Sequence, residues 1–379
     1  MSIPQHARGL GASRAAIIGE LARTPGLSRS ELSKRLTIGN ATVTQQTRKL
    51  IERGYVRELP SLPRGEGRPR VPLHLVTGAF YTLGVSVELE EMVFVAVDLD
   101  GRVLDAHIET STSGAPPIGA LTFATNQFIT GHDPDMQCIA IGIALSGVVD
   151  PGRHNVVLST VLGWSHEPLA DELARATGLP VYLENDVIAL AHRELAYSSL
   201  PVDDEFLLLS IGEGVGMAIV TDRKIYKGLQ RSSVEFGHVS LDPTGPLCRC
   251  GNHGCIQTYF GFQELLAGAP MGSNTTVSAL QEAIERSDQQ LLEYLSNAGA
   301  ILGRATGAVA TLLGASAIRV TGKTLEFWAQ MEAGFSRELT AATPTLVDPA
   351  RTSVVPWSLT AYAEGAAGVA LTSGLDRLD

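Results

Sequence analysis

One histidine and three cysteines in a short segment constrain the folding of this chain more than any other feature. The residues are His238, Cys248, Cys250 and Cys255, and glycines separate the last two cysteines. Four such ligands suit one tetrahedral Zn²⁺, because glycines allow a short loop to wrap around an ion. A disulfide is the alternative, but the chain has only four cysteines and no pattern of a secretory signal. We therefore predict one zinc ion per chain and a cytoplasmic protein.

Charge is divided unevenly along the chain. Residues 1–75 carry 13 Lys and Arg against 5 Asp and Glu, and the rest carries 16 against 35, so a charge of +8 precedes one of −19. A basic module on an acidic body predicts a nucleic-acid-binding domain, because the body alone would repel phosphates. A merely solvated basic surface is the alternative. No apolar run approaches the roughly 20 residues that span a bilayer, so we expect no membrane partner.

The basic module, residues 1–75, has the pattern of a winged helix-turn-helix. Arg14–Arg23 places apolar residues on one helical face, and a capping box at Ser28 predicts a second helix through Leu36. A turn that ends with Asn40 as the N-cap precedes a third helix from Ala41 to about Arg53. A strand starting near Gly54 and a basic hairpin then form the predicted wing.

The third helix predicts a DNA-contacting face. Its buried stripe consists of Val43, Thr47, Leu50 and Ile51. The outward residues offer donors and acceptors for double-stranded DNA, and they are Thr42, Thr44, Gln45, Arg48 and Lys49. The wing adds Arg64, Arg68 and Arg70, and the sequence around Arg68 resembles the minor-groove core of an AT-hook. Protein–protein contact is the alternative use of such a domain.

The body, residues 76–379, is predicted to be α/β with a duplicated core. Its repeated sets of three strands are Tyr81–Val87, Met92–Val97 and Arg102–Thr110, and Glu205–Ile211, Gly216–Val220 and Lys224–Lys227. Apolar strands at Cys138–Leu145 and Leu179–Leu183 end in polar residues, where ligands bind in open α/β sheets. We expect helices after Thr258, including one long stretch over Val277–Leu313 and a final helix over Leu359–Leu371. The duplication resembles the ribonuclease-H-type lobes of the actin/hexokinase superfamily.

Motifs throughout the body resemble those of the ROK family of bacterial repressors and sugar kinases. They are Gly142–Asp150, Leu162–Trp164, Glu184–Asp186, Gly212–Gly216 and Glu235–His238 with the cysteine loop at 248–255. The resemblance implies a sugar site made by Asn185, Asp186, Glu235, His238 and Gln257, the last where relatives have Glu. For Asn185 and Asp186, simple helix capping is the alternative.

Three departures from the family's kinases predict that this chain transfers no phosphate. The first phosphate loop is replaced by Gly84–Glu91, which has three acidic residues and no glycine cluster. The second loop has Glu213 where the kinases have Thr, and a carboxylate there repels phosphate. The adenosine-side glycine cluster is reduced to Gly322. Asp186 matches the kinases' general base, but a base without a phosphoryl donor performs no transfer.

The combined prediction is a sugar-responsive transcriptional regulator. We expect a repressor of carbohydrate genes that binds a monosaccharide between its lobes and works as a homodimer or homotetramer. The first alternative is an ATP-dependent ROK sugar kinase with an added DNA-binding domain. The second is a regulator without an effector site, because Gln257 and Ile188 depart from the family pattern.

Overall fold

The computed structural model describes residues 10–60, 70–110, 116–197, 205–228, 234–272, 275–343 and 351–376. These residues form two units. The first comprises residues up to 201 together with those from 360 onward, and the second comprises residues 202–359. Within the described ranges, no helix is both long and apolar enough to cross a membrane. The predicted domain boundary near residue 75 stays a prediction.

The amino-terminal head, residues 10–60 and 70–75, folds as three helices and a two-stranded wing. Its elements are α1 (Leu10–Arg23), α2 (Arg29–Arg35), α3 (Asn40–Glu52), β1 (Val56–Glu58) and β2 (Leu73–Leu75). The backbone N–H of Ser28 donates to Glu31 Oε2 at 2.9 Å, which confirms the capping box. The prediction of Asn40 as the cap of α3 is wrong, because the helix already begins at Asn40 and Gly39 precedes it as the cap.

A five-stranded sheet forms the body of the first unit. Its strands are β3 (Phe80–Val87), β4 (Glu91–Asp98), β5 (Val103–Thr110), β6 (Gln137–Leu145) and β10 (Val181–Asn185), in the order β10-β6-β3-β4-β5. A small sheet holds β7 (Val148–Val149), β8 (Val156–Ser159) and β9 (Trp164–Glu167). The helices are α4 (Ile118–Gly131), α5 (Leu169–Thr177), α6 (Asp186–Tyr197) and α12 (Ala361–Asp376). The sequence did not indicate the small sheet, because its strands have only two to four residues.

Helix α12 lies directly on this sheet, and two glycines make the approach possible. A Cβ atom on Gly84 would run into the carbonyl of Ala363, and one on Gly142 would run into that of Ala366. Gly84 lies on β3 and Gly142 on the neighbouring β6, where they pair in register. The close approach fixes the carboxyl-terminal helix against the strands that lead to the candidate site.

The second unit repeats the sheet topology of the first. Its strands are β11 (Phe206–Ile211), β12 (Val215–Thr221), β13 (Lys224–Tyr226), β14 (Ala317–Thr321) and β15 (Arg351–Val354), in the order β13-β12-β11-β14-β15. In both units, an antiparallel three-stranded meander is followed by two parallel strands. The predicted duplication is thereby confirmed. The sequence did not indicate β14 and β15, which lie within a region predicted to be helical.

The helices of the second unit correct one prediction. They are α7 (Gln257–Phe260), α8 (Phe262–Gly268), α9 (Val277–Glu285), α10 (Gln289–Leu313) and α11 (Trp328–Ala342). The single stretch predicted over Val277–Leu313 is wrong, because the chain breaks between α9 and α10. Ser287 has a φ of 58°, and the Asp288 carboxylate caps α10 by accepting the N–H of Leu291 at 3.1 Å.

Candidate functional site

The exposed face of α3 presents a compact set of polar groups. Thr44, Gln45 and Arg48 are exposed and line a shallow depression with Asn40 and Ala41. The Arg48 side chain is 69% exposed and forms an ion pair with Glu52 at 3.5 Å. An exposed pair of this kind contributes about 0–1 kcal/mol, so it holds the guanidinium weakly. This face can therefore offer its donors to a phosphate or a base edge at little cost.

The other predicted DNA contacts are placed differently. Thr42 and Lys49 are half-buried on α3. The Arg70 guanidinium forms an ion pair with Glu31 at 2.9 Å and donates to the Gly26 carbonyl at 2.8 Å, so it fastens the wing to the head. Arg64 and Arg68 lie outside the described residues. The Arg70 guanidinium is therefore already engaged within the head. A contact of Arg70 with DNA stays a prediction.

The predicted metal ligands lie together in one loop of the second unit. The ligand atoms of His238, Cys248, Cys250 and Cys255 are all within 4.8 Å of one another. The Sγ atoms of Cys250 and Cys255 are 3.7 Å apart, and all four cysteines are free thiols. In a tetrahedron with Zn–S bonds of about 2.3 Å, the sulfurs are about 3.8 Å apart. The cluster therefore fits a tetrahedral metal ion.

Backbone geometry explains why this loop can fold so tightly. Gly251 and Gly254 adopt φ angles of 93° and 62°, which favour glycine. A Cβ atom on Gly254 would also run into the carbonyl of Asp242. Burial raises the pKa of Cys255 to about 12, whereas a hydrogen bond from the backbone N–H of Asn252 lowers that of Cys250. A cation in the loop would favour both thiolates.

His238 faces two different groups with its two ring nitrogens. Nδ1 lies 3.5 Å from Cys248 Sγ, and Nε2 lies 3.9 Å from a carboxylate oxygen of Glu235. The nitrogen toward the thiols can bind a metal, while the other lies near a carboxylate but beyond hydrogen-bond distance. The two roles predicted for His238, metal ligand and polar contact, are thus compatible.

In the first unit, Asn185 and Asp186 stand where β10 ends and α6 begins. Asn185 Oδ1 accepts the backbone N–H groups of Val187 at 3.0 Å and Ile188 at 3.3 Å. Its Nδ2 donates to the Gly147 carbonyl at 3.2 Å. Asn185 therefore caps α6, as the alternative interpretation predicted. Among the described contacts, its Nδ2 donates only one of its two hydrogens, so the second N–H can bind another acceptor.

Gln257 uses its side-chain amide to hold a backbone turn in the second unit. Its Oε1 accepts the N–H of Val215 at 2.8 Å, and its Nε2 donates to the Glu213 carbonyl at 3.1 Å. An ionised glutamate could make only the first of these bonds, because it has no hydrogen to donate. The change from Glu to Gln thus suits a closed Gly212–Gly214 turn, a role that the sequence alone did not reveal.

An ion pair lies on the same turn. Lys323 Nζ is 2.8 Å from Glu213 Oε1 and stands 4.3 Å from the centre of the Phe262 ring. Both members come from segments that the sequence matched to the nucleotide loops of ROK kinases. In this chain, the carboxylate of Glu213 already pairs with the lysine, so Lys323 is not an unpaired cation that could receive a phosphate.

Comparisons with known proteins agree with this architecture. Residues 82–361 match the ROK family and residues 13–57 match the winged helix-turn-helix DNA-binding family. The xylose repressor of Bacillus subtilis (strain 168) is 27% identical over 253 residues, which are 66% of each chain. The match thus spans about two thirds of that repressor. A glucokinase of Streptomyces coelicolor is 30% identical over 196 residues, or 52% of this chain and 61% of the glucokinase.

A solved ROK family transcriptional regulator, described as a homolog of the Escherichia coli Mlc protein, has the same fold. The TM-score is 0.79 at 23% sequence identity, and the alignment covers 97% of both chains. The family model covers most of the chain and the amino-terminal match supplies the DNA-binding module, so the resemblance predicted from the motifs is confirmed. The chain belongs to the ROK family, in the branch that carries an amino-terminal winged helix-turn-helix.

Proposed function

We propose that this protein is a sugar-responsive transcriptional repressor that binds operator DNA and has no kinase activity. The observation that carries the proposal is the exposed α3 face, with Thr44, Gln45 and Arg48, on a ROK body. The name of the xylose repressor supports a regulator of carbohydrate genes. A homodimer or homotetramer would allow two winged helices to bind two operator half-sites.

The proposal includes one structural Zn²⁺ per chain, held by Nδ1 of His238 and the thiolates of Cys248, Cys250 and Cys255. The fit of the four ligand atoms to a tetrahedron supports it. Zinc would stabilise the loop and fix the His238 ring beside Glu235. The proposed role of the zinc ion is structural and not catalytic.

The proposed effector is a neutral monosaccharide. Asn185 and Asp186 would hydrogen-bond its hydroxyls, since amide and carboxylate groups can bond two neighbouring hydroxyls at once. Glu235 and His238, in the second unit, stay predicted contacts of the sugar. The N–H of Asn185 that remains after capping supports this assignment. Gln257 stays a predicted contact, although both polar atoms of its amide are engaged by the turn.

A thermal-shift screen tests the effector proposal. The panel contains D-glucose, D-xylose, D-mannose, N-acetyl-D-glucosamine and their 6- or 5-phosphates. A ligand that binds only the native state increases the free energy of unfolding by mass action, by about 2.7 kcal/mol at 100 times Kd, and so raises the melting temperature. We expect at least one neutral monosaccharide to give a shift. A panel without any shift would contradict the sugar-responsive part of the proposal.

ATP is expected to give no thermal shift and no sugar phosphate with any member of that panel. The reason is the Glu213 carboxylate, which repels a phosphate at this turn, while the nearby Lys323 already pairs with that carboxylate. A coupled assay for ADP release measures the turnover. Asp186→Asn, which removes the residue matching the kinases' base, is the control for contaminating kinases. Turnover above that control would favour the rival kinase assignment.

Arg48→Ala is expected to weaken operator binding by roughly 1–3 kcal/mol if the guanidinium contacts a base edge. Fluorescence anisotropy with a labelled duplex, recovered by selection from random sequence, measures the loss. Arg286→Ala is a matched control, because Arg286 is also 69% exposed and pairs with a glutamate one helical turn away. Equal losses in both variants would indicate a general charge effect and remove Arg48 from the DNA-contacting face.

A further inference from the structure

Helix α6 joins the candidate effector residues to the DNA-binding head within the first unit. It begins at Asp186, directly after Asn185, and ends at Tyr197. At about 1.5 Å per residue, its twelve residues span about 18 Å. The helix is packed along α12, and its last residues lie at α1 of the head. A single helix therefore reaches from the candidate effector residues to the DNA-binding head.

The first turn of α6 depends on the same amide that is proposed to bind sugar. Asn185 Oδ1 accepts two N–H groups of that turn, from Val187 and Ile188, and Nδ2 donates to Gly147. Both acceptor positions of the oxygen are therefore in use. A sugar hydroxyl would instead accept the remaining N–H of Nδ2, and it would so bond the same planar amide that holds the first turn. Occupancy of the site thus acts directly on the start of α6.

The last turn of α6 is fastened to the head by Arg23. Its Nη1 donates to the carbonyl of Leu195 at 3.1 Å and, more weakly, to that of Ala196 at 3.4 Å. These are carbonyls of a final helical turn, which have no partner within the helix, and a cation is favourable there. Arg23 is the last residue of α1, so the contact joins the ends of two helices.

Glu20 links Arg23 to α2, the helix that precedes α3. Glu20 on α1 bonds Arg23 at 3.2 Å and Arg35 on α2 at 2.9 Å. Burial raises the pKa of Glu20, but the hydrogen bonds from Arg35 and Arg23 outweigh it, so that the pKa is lowered overall and the carboxylate is charged. Arg29 on α2 in turn donates to Thr47 on α3 at 2.9 Å. Polar contacts therefore lead from α6 to the DNA-contacting helix.

Helix α1 of the head is also held firmly against α12. The fully buried Arg14 donates to the carbonyl of Leu375 on α12 at 2.7 Å. Leu371 and Leu375 also belong to the same apolar core as Ile17, Ile18 and Leu21 of α1. Since closely packed interiors transmit displacements, a shift of α6 must change the position of α1 or strain its contacts.

We propose that α6 carries the coupling between effector and operator, and that Arg23 is the positioning residue through which it acts on the head. The proposal rests on the proposed function only for the assignment of Asn185 and Asp186 to the effector site. Coupling is reciprocal, so operator binding at the head must also act on the first turn of α6. This reciprocity allows a test that uses no sugar.

The test is hydrogen–deuterium exchange of the full-length protein with and without a DNA duplex recovered by selection from random sequence. We expect DNA to change the exchange of the Val187 and Ile188 amides in the wild type. Arg23→Met keeps the apolar stem but cannot donate to Leu195, so the variant should bind DNA and lose this change. Arg175→Met is the matched control, because it removes the basic residue in the last turn of another helix of the first unit, α5, and leaves the contacts of Arg23 intact.

The proposal is overturned if DNA leaves both amides unchanged in the wild type, or if Arg23→Met retains the change that the wild type shows. Arg23→Gln, which is too short to reach the carbonyls, serves as the second variant should the first fail to bind DNA. Melting temperature and DNA affinity, measured for every variant, separate lost coupling from lost folding. A sugar panel without any response would contradict the proposed function and leave this outcome unaffected.

Discussion

Replacing Cys255 by serine is expected to remove the bound zinc and to lower the melting temperature of the protein. Cys255 is fully buried in the loop, and its Sγ is 3.7 Å from that of Cys250. A structural zinc ion contributes on the order of 10 kcal/mol in isolated zinc-binding peptides, because the ligands meet only in the folded chain. Even a fraction of that contribution is large beside a typical stability of about 5–15 kcal/mol. Metal analysis and calorimetry on freshly purified reduced protein measure both effects.

Cys138→Ser supplies a matched control for the chemical change itself. Cys138 is also a buried thiol, but it lies on β6 in the first unit and outside the metal cluster. We expect this variant to keep its zinc and to lose only the stability that a buried hydroxyl costs, about 1–3 kcal/mol. A wild-type protein without zinc, or a Cys255→Ser variant that retains zinc at full stability, would contradict the metal assignment.

Asp186→Ala and Glu235→Ala are each expected to abolish the effect of the sugar on DNA binding while operator affinity without sugar stays near that of the wild type. Each substitution removes a carboxylate that is proposed to accept a sugar hydroxyl. A buried partner left without its hydrogen bond costs roughly 1–3 kcal/mol, which is about 5- to 150-fold in affinity. Titrations of labelled operator with and without the sugar measure the response.

Asp171→Ala is the control for Asp186, because both carboxylates lie in the first turn of a helix in the first unit. It removes the favourable charge at a helix start without touching the end of β10. We expect it to keep the sugar response. A response that survives Asp186→Ala or Glu235→Ala would move the effector site elsewhere. Loss of DNA binding in both variants, with zinc present, would show that these residues are structural.

Features encoded within short segments could be predicted from the sequence. The capping box of α2 depends on two residues three positions apart, and the strands of the two antiparallel meanders follow from their apolar patterns. The metal cluster was predictable because its four ligands are carried by one loop, whose glycines permit the fold. In the capping box, the meanders and the metal loop, the residues that interact are close in sequence. Their spacing along the chain therefore determines their geometry.

Contacts between distant segments could not be predicted in this way. Lys323 and Glu213 are 110 positions apart, and nothing near either residue shows that they pair. Arg14 would be expected on an exposed helix face, yet it is fully buried because the carbonyl of Leu375 accepts its hydrogen bond. The engagement of Arg70 by Glu31 likewise depends on how the wing folds back. Tertiary packing decides these contacts.

The affinity of the full-length protein for a selected operator duplex, measured with and without the monosaccharide that gives the largest thermal shift, shows whether a sugar controls DNA binding. Fluorescence anisotropy at fixed salt gives both dissociation constants, which is essential because DNA affinity depends steeply on salt. We expect the sugar to change the dissociation constant by about tenfold or more, a coupling of at least about 1.4 kcal/mol, without any consumption of ATP. An unchanged constant with every monosaccharide in the panel, or phosphorylation of the sugar by ATP, would contradict it.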